Sequence, residues 1–164
     1  MKKWLCIVVL VLTPAVAVAD ESIVQRALSF LGIKYRFGGE SEKHGFDCAG
    51  FVRKTFSKVG VHLPRTAAEQ YKQGCTVKRD ELEPGDLVFF SHTYKRGISH
   101  VGIYIGDGMF VHAASSVRRV AVDRLDSPYF KKRFEGGRRI ERPIEVEEPE
   151  PVVTIDVAAG AGSK

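Results

Sequence analysis

The periodicity of this chain changes once, at Glu83-Pro84-Gly85, and that change decides its fold class. Before it, apolar residues recur at helical spacing. Ser22 to Leu31 reads as a helix opened by a Ser22-x-x-Gln25 capping box, with Val24, Ala27, Leu28 and Leu31 on one face and Gly32 ending it. A second helix starts at Cys48, with Asp47 as N-cap and Gly60 as C-terminal stop. Its apolar face is Ala49, Val52, Phe56 and Val59, and Arg53, Lys54, Ser57 and Lys58 fall opposite. Thr66-x-x-Glu69 opens a third helix running through Gln73 to Gly74. After the turn the texture is that of strands: Asp86 to Ser91 is a buried apolar run and His92 to Ile98 a polar loop. Ser99 to Ile105 and Met109 to Ala114 form a hairpin, and Arg119 to Leu125 and Gly137 to Arg142 are further strands. Helices first and strands afterwards give an α+β fold, with N-terminal helices packed against a central antiparallel β-sheet.

The ends of the chain read differently from its middle. Lys2 and Lys3, the apolar run Leu5 to Leu12 and the small-residue site Ala17-Val18-Ala19 make residues 1–19 a signal peptide, with the mature chain beginning at Asp20. The run is broken by Thr13-Pro14 and is too short for a stable membrane span. Residues 20–142 form one domain, with 22 basic against 15 acidic side chains, whereas 143–164 carry one against five. Glu145 to Pro151 is an acidic, proline-bearing linker, and the tail is expected to be disordered. A basic domain suits an acidic partner such as an anionic wall polymer, a membrane surface or a nucleic acid. Export places Cys48 and Cys75 in an oxidising compartment, where a structural role would pair them. That bond would consume Cys48, so Cys75 is read as a bystander.

A cysteine at the first turn of a helix is either a buried structural residue or a nucleophile. Unpaired N–H groups and the helix dipole there favour thiolate, lowering the pKa from its usual ~8.5. Partners come from the hairpin. With a three-residue Gly106-Asp107-Gly108 loop, Ile105 faces Met109, Gly102 faces His112, and His100 lies on the same side, diagonal to His112. A two-residue Asp107-Gly108 turn would set Gly106 opposite Met109 and send His112 to the other face. The first register gives a nucleophile–base–orienter set. Cys48 attacks a carbonyl carbon, His100 holds the ion pair and protonates the leaving amine, and His112 fixes its tautomer. The Cys48 N–H, with Tyr35, stabilises the oxyanion.

Six blocks come in the order of a known family: Tyr35-Arg36-Phe37-Gly38-Gly39, Asp47-Cys48-Ala49-Gly50-Phe51-Val52, Leu63-Pro64-Arg65-Thr66, Gly85-Asp86-Leu87-Val88-Phe89-Phe90, His100-Val101-Gly102-Ile103-Tyr104-Ile105-Gly106 and Phe110-Val111-His112-Ala113. The chain resembles the NlpC-type cell-wall cysteine peptidases over roughly residues 23–140. The resemblance implies a papain-like α+β fold and cleavage of peptidoglycan stem peptides, usually between D-γ-glutamate and diaminopimelate or lysine. It assigns Cys48, His100 and His112 to the catalytic triad, Tyr35 to the active-site tyrosine, and Asp47 and Ser99 to the substrate's amino end. No cofactor is implied, and the expected protein is a monomer acting in the periplasm or the cell wall. Ala49 departs from the family's usual serine, and no second wall-binding domain is read in the sequence, which leaves the basic surface to hold the wall. Three other classes compete. A zinc protein would use Cys48, His100 and His112 but lacks CxxC or HxxxH spacing. A nucleic-acid binder has the basic surface alone in its favour. A non-catalytic wall-binding protein would have to carry an intact triad unused. The same thiol–histidine engine also serves amidases and acyltransferases.

Overall fold

The structure, a computed structural model, describes residues 23–141. The leader, the Ser22 half of the first capping box and the acidic tail lie outside those residues. The described chain opens in helix α1 (23–29) and forms a small hairpin of β1 (Glu40–Ser41) and β2 (Gly45–Phe46). Helices α2 (Cys48–Ser57) and α3 (Ala67–Gln70) follow, then β3 (Cys75–Val77) and a 3-10 turn at Arg79–Glu81. The remainder is β4 (Leu87–Ser91), β5 (Ile98–Gly106), β6 (Met109–Ala114), β7 (Arg119–Arg124), α4 (Pro128–Lys131) and β8 (Phe134–Arg139). Six strands form one antiparallel sheet in the order β3-β8-β4-β5-β6-β7.

The sheet is covered on both faces, which is why every residue of β4 is buried. Leu87 and Phe89 belong to the larger core with Val101, Ile103, Val111 and Ala113, packed against Ala27 of α1 and Phe51, Val52 and Phe56 of α2. Val88 and Phe90 alternate to the other face, where Phe110, Leu125 and Phe130 complete a smaller aromatic core. The helical face read for α2 holds: Ala49, Val52 and Phe56 are buried, and Val59, just past the helix end, packs partly buried on the same core. Burying three phenylalanines at Phe46, Phe51 and Phe56 contributes several kcal/mol.

Four local expectations are corrected. The third helix is one turn long, although both halves of its Thr66–Glu69 capping box form. It stops because Gln70 and Tyr71 are drawn inward: Gln70 Nε2 donates to the carbonyls of Ala49 and Pro64, and the Tyr71 ring meets Phe89 at 5.1 Å. The first helix ends at residue 29, and the turn that follows it reaches Gly32. The short strands β1, β2 and β3 and helix α4 lack a readable period.

The fourth correction concerns the β5–β6 hairpin. Gly106 pairs with Met109 across a two-residue Asp107-Gly108 turn, both residues at positive φ (52° and 71°), as a type I′ turn requires. The register nevertheless shifts between Tyr104 and Gly106, so Tyr104 pairs Phe110 and Ile103 pairs Val111. That extra residue is a bulge, and it restores the parity that the shorter turn would have reversed. Continuing the register sets Gly102 across from His112, and a Cβ on Gly102 would lie 2.6 Å from the Phe110 ring and 3.2 Å from the His112 Cβ. The glycine is needed for the His112 side chain to stand where it does.

Candidate active site

Asp47 organises the start of α2. Its Oδ1 accepts from the Gly50 N–H at 2.7 Å, which is the N-cap bond, and from Arg65 Nη1 at 3.1 Å. Its Oδ2 accepts from the Gly38 N–H at 3.0 Å and Arg65 Nη2 at 2.6 Å. Arg65 also pairs with Glu40 at 2.6 Å, and Glu40 with Arg53 at 2.7 Å. One carboxylate thus ties the Gly38 turn, the helix start and the segment before α3 together, with the bidentate Arg65 fork supplying the strongest bonds. Burial and the carboxylates of Asp47 and Glu40 act on Arg65 in opposite senses, and the hydrogen bonds to Asp47 prevail, raising its pKa.

Cys48 stands directly after this hub, buried, as a free thiol. Its S–H donates to the Ser99 carbonyl at 4.0 Å, and the backbone amides of Val101, Ala49 and Cys48 itself favour the charged form of the sulfur. Ser99 and Val101 flank His100, so the thiol rests against the backbone on both sides of that histidine. The His100 ring extends into the aromatic core, 5.9 Å from Phe90 and stacked on Phe130 at 6.3 Å. Its Nε2 meets His112 Nδ1 at 2.7 Å, and His112 Nε2 meets Asp123 Oδ2 at 2.9 Å. The pairing of the two histidines is the one read from the sequence. Asp123 is new: it sits on β7, paired with Phe110, and so lies diagonal to His112 on the same face.

Electrostatics correct one expectation. The Cys48 thiol is not lowered but pushed up to about 11, first by burial and then by the Asp47 carboxylate beside it, and the nearby backbone amides only partly offset this. His100 is driven well below 6.5 by burial and by neighbouring His112. Both shifts run against the expected thiolate–imidazolium pair in the free site. Burial, absent from the helix-dipole argument, is the larger effect.

A cleft opens over Cys48. Tyr35, Phe37 and Gly38 line one wall, Arg65 to Ala68 another, and Tyr94, Lys95 and Ile98 a third, with Ala49 beside the thiol. Burial, reinforced by Cys48 and Asp47, raises the Tyr35 phenol. Ser99 is fully buried, and its hydroxyl is engaged with the Thr93 N–H at 3.0 Å and the Thr93 hydroxyl at 2.9 Å. Of the residues named from sequence, Tyr35, Asp47 and Cys48 share the cleft; His100 and His112 stand behind the thiol, and the Ser99 side chain holds the 92–97 loop. Sequence reading missed Asp123, Arg65 and the exposed Phe37–Tyr94 pair, whose rings meet edge to face at 6.4 Å on the cleft rim. The polar Asp123 directly after the apolar Val120-Ala121-Val122 run of β7 was the one visible signal. Cys48 and Cys75 are unpaired, Cys75 lying exposed on β3, and no group of three or more His, Cys, Asp or Glu side chains able to hold a metal exists among the described residues.

Comparison with known proteins agrees with this architecture. The gamma-DL-glutamyl hydrolase of Bacillus subtilis strain 168 is 40% identical over 139 residues, covering 84% of this chain and 33% of that protein. The murein DD-endopeptidase MepS/murein LD-carboxypeptidase of Escherichia coli K12 is 42% identical over 121 residues, covering 72% of this chain and 61% of that protein. The chain thus spans from a third to about three-fifths of the length of these curated relatives. A crystal structure of an NlpC/P60 family protein from Bacillus cereus ATCC 10987 superposes with a TM-score of 0.68 at 34% identity, covering 73% of this chain and 39% of that one. The NlpC/P60 family model matches residues 32–139, which hold the hub, the thiol and the whole histidine chain, and the chain belongs to that family.

Proposed function

We propose that this protein is an exported cysteine peptidase that hydrolyses peptidoglycan stem peptides at the bond between D-γ-glutamate and a diamino acid, diaminopimelate or lysine. The observation that carries the reading is the thiol of Cys48, pinned at a helix start against the backbone of a histidine whose Nε2 is already bonded to a second histidine. With His100 Nε2 engaged, Nδ1 is the nitrogen left to serve the thiol. Cys48 Sγ attacks the peptide carbonyl carbon while its proton passes to His100, so the ion pair forms during attack. The N–H groups of the helix start receive the oxyanion, with the Tyr35 hydroxyl at the same cleft. His100 returns the proton to the leaving amine, and water, deprotonated by the same ring, cleaves the thioester. The 1–19 leader and the basic domain fit action on an anionic wall outside the cytoplasm.

A second reading has a specific basis: the Escherichia coli relative is named a DD-endopeptidase and LD-carboxypeptidase. Mass spectrometry of purified muropeptides incubated with the protein and with Cys48→Ala separates the two. The proposal expects the wild type alone to split monomeric stem peptides at γ-glutamate. Conversion of cross-linked dimers to intact monomers would select the DD reading, and identical spectra for both proteins would reject both.

A further inference from the structure

The His100–His112 pair does not end at His112. Its far nitrogen meets Asp123 Oδ2 at 2.9 Å, while the near one meets His100 Nε2 at 2.7 Å. Two imidazoles in line that share one hydrogen bond can carry their protons in either of two directions, and the bond between them is satisfied both ways. In one direction His112 holds its proton on Nε2, its bare Nδ1 accepts from His100 Nε2–H, and His100 Nδ1 is left unprotonated toward the thiol. In the other, His112 donates from Nδ1, His100 accepts at Nε2, and its Nδ1 carries a hydrogen that cannot take one from sulfur. A carboxylate only accepts, so a carboxylate facing His112 Nε2 admits the first direction alone.

We propose that Asp123 is a positioning residue that sets the direction of this proton chain and so keeps His100 Nδ1 free to act as the base. The inference rests on the reading of Cys48 as nucleophile and His100 as its base. His112 is 2% exposed and turned between the rings of Phe110 at 4.8 Å and Phe130 at 5.4 Å. It cannot find another acceptor by rotating without losing that packing. Asp123 is held in place by the β6–β7 register, which sets Phe110 opposite it and His112 opposite Ala121. Its side chain is 43% exposed, so water competes for its place and the effect of removing it is moderate.

Two measurements test this without any peptide substrate. In long-range 1H–15N spectra of the wild-type protein, His112 must carry its proton on Nε2 and His100 must show an unprotonated Nδ1; the opposite pattern overturns the proposal with no variant needed. In Asp123→Ala and Asp123→Leu, amide dispersion establishes the fold, and His100 Nδ1 becomes partly protonated. Alkylation of Cys48 by iodoacetamide, followed peptide by peptide, falls about 10-fold, as loss of outer hydrogen-bond partners does elsewhere. Exposed Cys75 reacts at an unchanged rate and serves as the internal standard. Unchanged ring nitrogens, with Cys48 alkylation within about 2-fold of wild type, would reduce Asp123 to a surface contact. A protein that shows the expected tautomers yet cleaves no stem peptide would keep this proton chain and lose only the substrate proposed above.

Discussion

Cys48 sits between opposing influences: the neighbouring backbone amides favour thiolate, while burial and Asp47 oppose it and prevail. A thiol whose pKa is raised from 9.0 to about 11 binds its proton more tightly folded than unfolded. Its stabilising contribution is complete below pH 9 and is lost as pH rises toward 11. Cys48→Ala should therefore be less sensitive to alkali than wild type, by about 1 kcal/mol at pH 10, measured as the difference in urea-unfolding free energy between pH 7.5 and pH 10. His100 has the opposite sign: its depressed folded pKa gives stability that is present above the unfolded value near 6.5 and declines as pH falls below it. Because His100 remains neutral well below 6.5, the acid limb of kcat/KM should also lie below 6.5. Single residues were the most legible part of this site. Cys48, Asp47, His100 and His112 could be singled out because helix caps and strand alternation leave local marks, and Tyr35 because it is an aromatic beside the Gly38-Gly39 turn within a family block. Asp123 and Arg65 could not, since their partners are set by the β6–β7 register and by a link of 18 positions to Asp47.

The elements that hold the histidines are less legible than the residues they carry. Helix α4 spans four residues with no apolar period, yet its Phe130 covers both imidazoles and packs 4.9 Å from Phe90 and from Phe110. Phe130→Ala should cost about 3 kcal/mol of stability and lower turnover at full substrate saturation, whereas Phe130→Leu should retain most of both, read by urea unfolding and by kcat. The hairpin shows why element boundaries resist sequence reading. Gly106-Asp107-Gly108 supports either loop length, and a bulge leaves no trace in a run such as Tyr104-Ile105-Gly106. The expected face for His112 was reached through the other turn, because the bulge and the shorter turn cancel in parity. The capping box at Thr66 formed as read, but a cap specifies only where a helix starts; tertiary contacts of Gln70 and Tyr71 decided its end.

At the scale of the whole molecule, the change of periodicity at Glu83-Pro84-Gly85 was sufficient for the α+β class, and the ordered blocks for the family. The strand order was not legible, because β8, last in sequence, inserts between β3 and β4 and no local pattern announces it. The excess of basic side chains over residues 20–142 predicts that retention on purified sacculi weakens as salt rises from 50 to 500 mM, since exposed charges are screened over about a Debye length; retention independent of salt would exclude charge as the holding force. The central claim is that Cys48 becomes acylated by the stem peptide. Acid-quenching the protein milliseconds after mixing with a synthetic γ-D-glutamyl-diaminopimelate peptide, then mapping adduct mass, tests it directly. The account predicts a thioester of the glutamyl fragment on the Cys48 peptide and none on Cys75. Hydrolysis that proceeds without an adduct, and at an undiminished rate in Cys48→Ala, would contradict it.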